Sequence, residues 1–381
     1  MSSDGIEHPA RRGYLSAVRM NSRPQNEDEE MADLIFEGAW TALITPFNED
    51  GSVDWDGFQH NINFQVAEGI SGILPVGTTG ESPSLDWEEH EAVIDKALEF
   101  NSGRTRLLAG TGSNSTAEAV KGSKHAHESG ADAVLLVDCY YNGPSSLELR
   151  KEYYEAVLDA VPGIHVVPYI IPGRTGCEMS VEDVAILAGN YPGVHAVKEA
   201  TGNLERMAKT REICGGEFQI MSGDDDLTLK MMSNADIGAS GVISVVSNVA
   251  PAAVEKLARS VLKGDEVTAK HLEQSLSHLF GIVGVKIENE RQMPDGSTAA
   301  VADKFRNPLP IKTLMNGLGM ASGRCRQPLG KMTAAGVENV RDVARRTHAQ
   351  DSSILQPIEE AYGVSVHERI DDDSVWAALA Y

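Results

Sequence analysis

Eight short apolar runs recur along the chain at intervals of about thirty residues, and this repeat restricts the fold more than any other feature of the sequence. The runs are AWTALIT (39–45), GILPVG (72–77), RLLAGTG (106–112), AVLLVDC (133–139), HVVPYII (165–171), VHAVKEA (194–200), FQIMSGD (218–224) and GVISVV (241–246). Amphipathic stretches lie between them, opened by polar helix-start residues such as Ser84, Ser115, Ser146 and Ser180. Near-continuous apolar strands that alternate with helices indicate a parallel sheet covered on both faces. Eight such units predict a closed (β/α)8 TIM barrel with a C-terminal helical extension.

The pattern also divides the chain into segments. Residues 1–34 are polar and aperiodic, so we expect a disordered extension or an overextended start. The barrel is expected over 35–265 and a helical region over 266–348, with an insertion near 283–306. An extra acidic tail follows at 349–381 and contains the apolar cluster Val375, Trp376 and Leu379.

The charge balance excludes several classes of partner. The chain has 56 acidic and 33 basic residues, for a formal net charge of −23. A field of this sign repels phosphate backbones and anionic lipids, so we expect neither a nucleic-acid nor a membrane partner. Because the acidic residues are spread along the chain, they are typical of the solvated surface of a salt-adapted protein, and we predict a halophilic source.

Cysteine usage and hydropathy indicate the compartment. The four cysteines, Cys139, Cys177, Cys214 and Cys325, lie far apart and form no CxxC pair. Reduced thiols in the cytoplasm are therefore expected. The sequence has no apolar run of eighteen residues, and its first thirty residues lack the apolar core of a secretory signal.

Cofactor and metal motifs are weak. GTGSNS (110–115) lacks the third glycine of a dinucleotide turn, and GTTGES (77–82) lacks the lysine of a phosphate loop. Asp224, Asp225 and Asp226 could ligate a divalent metal, but no histidine or glutamate is near them in sequence, and we favour a hydrogen-bonding role at the strand end. We expect no cofactor and no metal.

Chemistry in such barrels lies at the carboxyl ends of the strands, and one residue there is anomalous. Lys198 stands inside the apolar run VHAVKEA, although lysines are rarely buried without a partner or a function. Burial lowers the pKa of an ammonium group and makes the amine nucleophilic, as Schiff-base chemistry requires. The residue alone leaves open the alternative that Lys198 pairs with a carboxylate at the rim.

Seven ordered motifs then resemble a known family. GTTGES, AGTGSNSTAEA, YYNGPS, IPGRTGC, VKEATGNLER, SGDDD and GVISVVSNV are similar to those of the dihydrodipicolinate synthase and N-acetylneuraminate lyase family of pyruvate-dependent class I aldolases, over roughly residues 36–348. The resemblance implies that Lys198 forms the imine with pyruvate. It assigns a proton relay to Thr78, Tyr169 and Tyr141, of which Tyr141 reaches into a neighbouring subunit. It also implies a homo-oligomer, with a tetramer usual in the family.

Further residues follow from the same resemblance. Pyruvate is expected to be held by the Gly77 to Thr79 turn with Ile243, and Gly223 joins Thr79 in the substrate-binding set. Arg174 fits the carboxylate of aspartate semialdehyde, because a guanidinium offers two parallel donors to a carboxylate. We therefore expect condensation of pyruvate with aspartate semialdehyde. A 2-keto-3-deoxy sugar-acid aldolase and a catalytically silent ligand-binding paralogue remain the alternatives.

The resemblance also suggests a lysine-binding regulatory site, because some family members are inhibited by lysine at a dimer interface. The matching positions are Ser82, Trp87, His90, Asn114, Glu118 and Tyr140. Glu118 could pair with the amine of lysine, and the indole of Trp87 could stack on its stem. Alternatively, His90 and Glu118 are simply solvated residues at helix starts.

Overall fold

The computed structural model describes residues 34–381, and its centre is a closed barrel of eight parallel strands. The strands pair in sequence order, and β1 closes the barrel against β8. Their bounds are Gly38–Ala42 (β1), Gly72–Leu74 (β2), Arg106–Gly110 (β3), Ala133–Val137 (β4), Val166–Ile170 (β5), Ala196–Glu199 (β6), Gln219–Ser222 (β7) and Gly241–Ser244 (β8). All eight predicted strands are confirmed. The N-terminal segment expected at 1–34 lies outside the described residues except for Leu34.

Two glycines permit the closure of the barrel. Gly38 in β1 pairs with Gly241 in β8 and has φ +74°. A Cβ atom on Gly241 would overlap the carbonyl oxygen of Gly38. Glycine tolerates the backbone angle at position 38 and the close approach at position 241, so the first and last strands can pair.

The barrel interior is filled with apolar side chains and is not a channel. Trp40 is 1% exposed and packs over Gly72, where any side chain would overlap its ring. The interior cluster also contains Phe36, Leu74, Leu108, Leu135, Val167, Tyr169, Met221 and Ile243. This filling supports the strand ends from below and leaves space only at the mouth of the barrel.

Helices cover the outside of the barrel. They are Trp55–Ala67 (α1), Trp87–Asn101 (α2), Thr116–Ser129 (α3), Ser146–Glu148 (α4), Glu155–Ala160 (α5), Pro172–Thr175 (α6), Val181–Asn190 (α7), Leu204–Cys214 (α8), Thr228–Ser233 (α9) and Pro251–Leu262 (α10). A π-helical turn, Leu149–Tyr154, joins α4 to α5.

Two of the helix starts differ from the sequence-based expectation. Asp86, not Ser84, caps α2 by accepting from the backbone N–H of Glu89. Ser145, not Ser146, forms the capping box with Glu148. Ser115 and Ser180 stand at the predicted N-cap positions, and the Ser180 side chain accepts from the N–H of Asp183. Neighbouring polar residues can cap equally well, so sequence places a helix start only to within one or two residues.

A helical region with an inserted hairpin follows the barrel. Its elements are Glu266–Phe280 (α11), Gly284–Gln292 (β9), Thr298–Arg306 (β10), Leu309–Leu318 (α12), Ala334–Gln350 (α13), Gln356–Tyr362 (α14), Val366–Asp371 (α15) and Asp373–Ala377 (α16). Strands β9 and β10 pair antiparallel over their whole length, from Gly284 opposite Arg306 to Gln292 opposite Thr298. The insertion expected near 283–306 is therefore a β-hairpin whose base adjoins the barrel.

The acidic tail packs back onto the rest of the molecule. Trp376 is 2% exposed and lies against Gly317 of α12, where a side chain would overlap the indole. Arg369 donates to the carbonyl oxygens of Asn316 and Gly317 at the end of the same helix. Tyr362 donates to the Oδ1 atom of Asn61 in α1 at 2.7 Å. The tail therefore joins the helical region to the outside of the barrel.

None of the helices within residues 34–381 is long and apolar enough to cross a membrane.

Candidate active site

A cavity of about 360 Å³ lies at the carboxyl ends of the strands, between the barrel and the base of the hairpin. The barrel contributes Thr78 and Thr79 after β2, Tyr169 from β5, Lys198 from β6, and Gly223 and Asp224 after β7. The hairpin and its junctions contribute Val283, Gly284, Lys304, Arg306 and Asn307. The parallel topology thus collects at one opening residues that are far apart in sequence.

Lys198 is buried in this cavity without an acidic partner. It is 5% exposed, and no carboxylate of residues 34–381 lies within ion-pair distance of its Nζ. Burial lowers the pKa of Lys198 to about 8, against the opposing effects of Asp224 and Asp225. An amine with this pKa loses its proton easily near neutral pH and is available as a nucleophile.

The second buried lysine in the described part of the chain shows the contrast. Lys312 in α12 is 1% exposed, and its Nζ lies 2.7 Å from Oε1 of Glu81. It also donates to the carbonyl oxygen of Thr45 at 3.0 Å. Lys312 therefore has the paired structural role that was the alternative for Lys198.

The three consecutive aspartates have different environments. Asp225 accepts from the Ser244 hydroxyl and from the backbone N–H groups of Val245 and Val246, which agrees with the hydrogen-bonding role expected at this strand end. Asp224 instead lines the cavity, a position that the sequence does not reveal. Burial raises the pKa of Asp224 to about 6, with Asp226 adding to the increase and Lys198 opposing it.

The turn after β2 is held by the segment that follows the hairpin. Asn307 donates from Nδ2 to Oγ1 of Thr79 at 2.9 Å, and Thr79 is 3% exposed. The Oδ1 atom of Asn307 is buried, with no partner among the described residues. Sequence reasoning missed Asn307, although it opens the NPLPIK motif directly after the insertion.

Arg174 lies in the short helix α6 at the rim of the same cavity. Its Nη2 donates to the carbonyl oxygen of Asn307 at 3.0 Å. Within residues 34–381 it has no carboxylate within ion-pair distance. Its guanidinium is therefore oriented by the backbone and keeps donors for a ligand.

Tyr169 and Gly223 border Lys198 directly. Tyr169 pairs with Lys198 across β5 and β6, and burial raises the pKa of its phenol. A Cβ atom on Gly223 would lie 2.7 Å from Cβ of Ala200 and 3.2 Å from Cε of Lys198. A side chain at position 223 would thus press on the lysine stem, so glycine gives Lys198 its space.

Two of the predicted site residues lie outside this cavity. Ile243 is 1% exposed and belongs to the barrel interior below the mouth. Tyr141 is 90% exposed and has φ +77°, an unusual conformation for a non-glycine residue. Within one chain, therefore, the structure brings together Lys198, Tyr169, Thr78, Thr79, Arg174 and Gly223.

The six residues of the suggested regulatory site are distributed over neighbouring surfaces. Ser82 and Tyr140 line a cavity of about 210 Å³ that also borders Thr78. Asn114 lines a separate groove of about 320 Å³ and has a buried Oδ1 with no partner among residues 34–381.

The rings of Trp87 and His90 have centroids 4.7 Å apart. Burial lowers the pKa of His90 to about 4, so the ring is neutral near pH 7. Glu118 accepts from the hydroxyl of Ser113 at 2.6 Å. His90 is 2% exposed, so it is not a solvated helix-start residue.

No cluster of three metal-ligating side chains occurs in the part of the chain that the structure describes. A closed (β/α)8 barrel whose buried lysine lies at the mouth of the strands, with no acidic partner in the described chain, has the arrangement of a Schiff-base-forming barrel enzyme.

Comparisons with known proteins identify the family. Residues 35–347 match the model of the dihydrodipicolinate synthetase family. The 4-hydroxy-tetrahydrodipicolinate synthase of Methanococcus vannielii is 39% identical over 296 residues, which cover 78% of this chain and 93% of that protein. The chain therefore belongs to the dihydrodipicolinate synthetase family.

Solved structures agree with this assignment. The crystal structure of dihydrodipicolinate synthase from Aquifex aeolicus has a TM-score of 0.73 and 39% identity, and the match covers 84% of this chain and 100% of that one. The enzyme from Cyanidioschyzon merolae, crystallised with lysine bound, has a TM-score of 0.73 and 31% identity, with coverage of 82% and 98%.

Proposed function

We propose that this chain condenses pyruvate with L-aspartate 4-semialdehyde to give 4-hydroxy-tetrahydrodipicolinate, an early step in the synthesis of lysine and diaminopimelate. The observation that carries the proposal is the buried Lys198, which lines the cavity, has no acidic partner among residues 34–381 and has its pKa lowered to about 8. The names of the relatives at 39% identity support the same reaction.

The chemistry begins with the neutral amine of Lys198. It attacks the keto carbon of pyruvate, and the carbonyl oxygen leaves as water to give an imine. Loss of a methyl proton converts the imine into an enamine, whose carbon bonds to the aldehyde carbon of the semialdehyde. The amino group of the bound semialdehyde then attacks the imine carbon, closes the ring and releases Lys198.

Proton transfer in these steps is assigned to hydroxyl groups. Thr78 and Tyr169 line the cavity with Lys198. A phenol has a pKa near 10 in water and exchanges protons efficiently only within hydrogen-bond reach of a partner. We assign Tyr141 of a second subunit as the third member of the relay.

Substrate carboxylates require separate partners. We assign the pyruvate carboxylate to the turn at Thr78 and Thr79, together with the backbone near Ile243, and Gly223 keeps the adjacent space open. Arg174 is assigned to the carboxylate of the semialdehyde, since its guanidinium lines the cavity without an acidic partner in the described chain.

This assignment includes a homo-oligomer, and we propose a tetramer. Tyr141 is 90% exposed in a strained left-handed conformation, which fits a side chain that completes the site of a second copy. We also propose that the protein works in the cytoplasm of a salt-adapted cell. The net charge of −23 and the four free cysteines support that proposal.

We further propose that L-lysine binds at Ser82, Trp87, His90, Asn114, Glu118 and Tyr140 and inhibits the enzyme. Asn114 provides a buried acceptor without a partner in residues 34–381, and Glu118 provides a carboxylate for an amine. A neutral His90 does not repel the cationic ligand. The lysine-bound relative at 31% identity supports this regulation.

Borohydride trapping tests the proposed reaction. With pyruvate and sodium borohydride, peptide mass spectrometry should locate the reduced adduct on Lys198 and leave Lys312 unmodified. Lys198→Arg is the matched control and should not be labelled. Absence of label, or label elsewhere, contradicts the enzyme assignment and favours a silent ligand-binding paralogue. Faster cleavage of 2-keto-3-deoxygluconate than condensation with the semialdehyde favours the sugar-acid aldolase.

A further inference from the structure

The base of the inserted hairpin places a cluster of positive charges at the mouth of the barrel. Arg306 pairs with Gly284, and Lys304 pairs with Lys286, across β9 and β10. Because side chains alternate between the two faces of a strand, these four residues share one face. Gly284, Lys304 and Arg306 line the same cavity as Lys198, so this face borders the active site.

Glu288 and Glu290 lie on the same face farther along β9, so the excess of positive charge is confined to the base of the hairpin. Lys304 and Lys286 are directly opposite each other, and like charges in such a pair destabilise a hairpin. Arg306, Lys304 and Lys286 have no carboxylate within ion-pair distance among residues 34–381. On the other face, by contrast, Asp303 accepts from Arg291 at 2.6 Å. Unpaired cations beside a cavity, in a chain with a net charge of −23, indicate an anionic ligand.

Reciprocal hydrogen bonds hold Arg306 beside Arg174. Arg306 donates from Nη1 to the carbonyl oxygen of Gly173 at 3.1 Å. Arg174 donates from Nη2 to the carbonyl oxygen of Asn307 at 3.0 Å. Arg306 is thus held by the residue that precedes Arg174, and Arg174 is held by the residue that follows Arg306. Burial lowers the pKa of Arg174; Tyr169 opposes this effect, and the like charge of Arg306 adds to it.

We propose that Arg306 is a second carboxylate-binding residue for the aldehyde substrate, brought to the active site by the hairpin. The inference rests on the proposed function and extends its substrate recognition. A carboxylate bound by both guanidiniums would relieve their mutual repulsion and would use donors that have no acceptor among residues 34–381. Arg306 thereby favours aldehydes that carry a carboxylate over uncharged aldehydes.

Steady-state kinetics of Arg306→Ala test this role. The KM for aspartate semialdehyde should rise about ten- to a hundredfold, the range for a lost charged hydrogen bond. The KM for pyruvate should change less than about twofold. Arg306→Lys should recover part of the loss, because lysine keeps the charge but lacks the fork of donors. Preference for the semialdehyde over an uncharged aldehyde of similar length should fall in Arg306→Ala.

Arg346→Ala is the control, since it removes one exposed positive charge from α13. It should leave the aldehyde preference unchanged. An unchanged KM for the semialdehyde in Arg306→Ala, or an equal rise in the KM for pyruvate, would overturn the proposal. Borohydride trapping of pyruvate on each variant separates the two hypotheses. If the unmodified protein is not labelled, the proposed function is wrong. If all variants are labelled, the proposed function stands and the kinetic results test only the role of Arg306.

Discussion

The Nζ atom of Lys198 lies 4.1 Å from the centre of the Tyr169 ring, and the two residues are paired on neighbouring strands. The face of an aromatic ring attracts a cation and so favours the charged form of lysine, whereas burial disfavours the charged form. Burial is the larger effect, since the pKa of Lys198 falls to about 8. Burial of the Lys198 ammonium group therefore reduces the stability of the fold. The same burial favours the neutral, reactive amine.

Replacement of Lys198 by methionine should stabilise the fold while abolishing activity. In the folded state Lys198 has a pKa of about 8, against an ordinary value of 10.5 for a lysine. The unfolded chain thus binds more protons between these values, so the stability of the unmodified protein rises with pH there. The gain from Lys198→Met should be up to about 3 kcal/mol below pH 8 and should vanish above pH 10.5. Urea unfolding at several pH values measures it; a gain independent of pH would contradict the assignment.

Asp224→Asn should shift the pH dependence of imine formation toward acid. The Asp224 carboxylate favours the charged form of Lys198, and its removal should lower the pKa of Lys198 by roughly one unit. The rate of borohydride trapping between pH 6 and 9.5 is the measurement. Asp236→Asn, at an exposed position after α9, is the control and should keep the original profile. A shift toward alkaline pH would refute the interaction.

Arg174→Ala should separate the two substrates. We expect kcat/KM for the semialdehyde to fall by an amount that corresponds to roughly 1.5–3 kcal/mol, while trapping of pyruvate remains nearly intact. The exposed Arg346 of α13 offers a control substitution without effect on either substrate. Loss of pyruvate trapping in Arg174→Ala would instead assign Arg174 to the first substrate.

Titration with L-lysine examines the regulatory site. Activity at the optimal salt concentration should fall at millimolar lysine, and Glu118→Ala should weaken this inhibition at least about tenfold because a charged hydrogen bond is lost. Glu128→Ala, on the same helix, should retain the inhibition. If the activity of the unmodified protein stays constant at millimolar lysine, the proposed lysine-binding regulatory site is wrong.

Lys312→Met should have the opposite effect on stability to Lys198→Met. It leaves the carboxylate of Glu81, which is 2% exposed, without its cation, at a cost of about 3–5 kcal/mol. Urea unfolding of Lys312→Met and of Lys312→Met with Glu81→Gln measures the effect. The double variant should recover part of the loss; equal stability of Lys312→Met and the unmodified protein would show that the pair is not coupled to folding.

The barrel could be predicted from sequence because each strand is covered on both faces and forms a near-continuous apolar run. Lys198 was found for the same reason, since it interrupts such a run. The hairpin gives no comparable signal in β9, and the short run of small apolar residues in β10, AAVA (299–302), is weaker than the barrel runs; most residues of both strands are exposed. Its turn still had a signal in Pro294, Asp295 and Gly296, and Gly296 has φ +83°.

Asp224 and Asn307 could not be assigned in this way. Asp224 lines the cavity, whereas Asp225 accepts hydrogen bonds from the end of β8. This difference depends on the packing of β7 against its neighbours. Asn307 reaches Thr79 across 228 positions of sequence. Contacts of this kind arise from the closure of the barrel and leave no local pattern in the chain.

The contact of the acidic tail with α1 has a consequence for protein synthesis. The ring of Tyr362 stacks on His60 with centroids 4.4 Å apart, and its hydroxyl reaches Asn61, 301 positions earlier. At roughly 5–20 residues per second, the nascent α1 leaves the ribosome about 15–60 s before Tyr362 can cover it. Until then this surface is open to solvent and to other nascent chains. A premature stop codon before position 362 would make that exposure permanent.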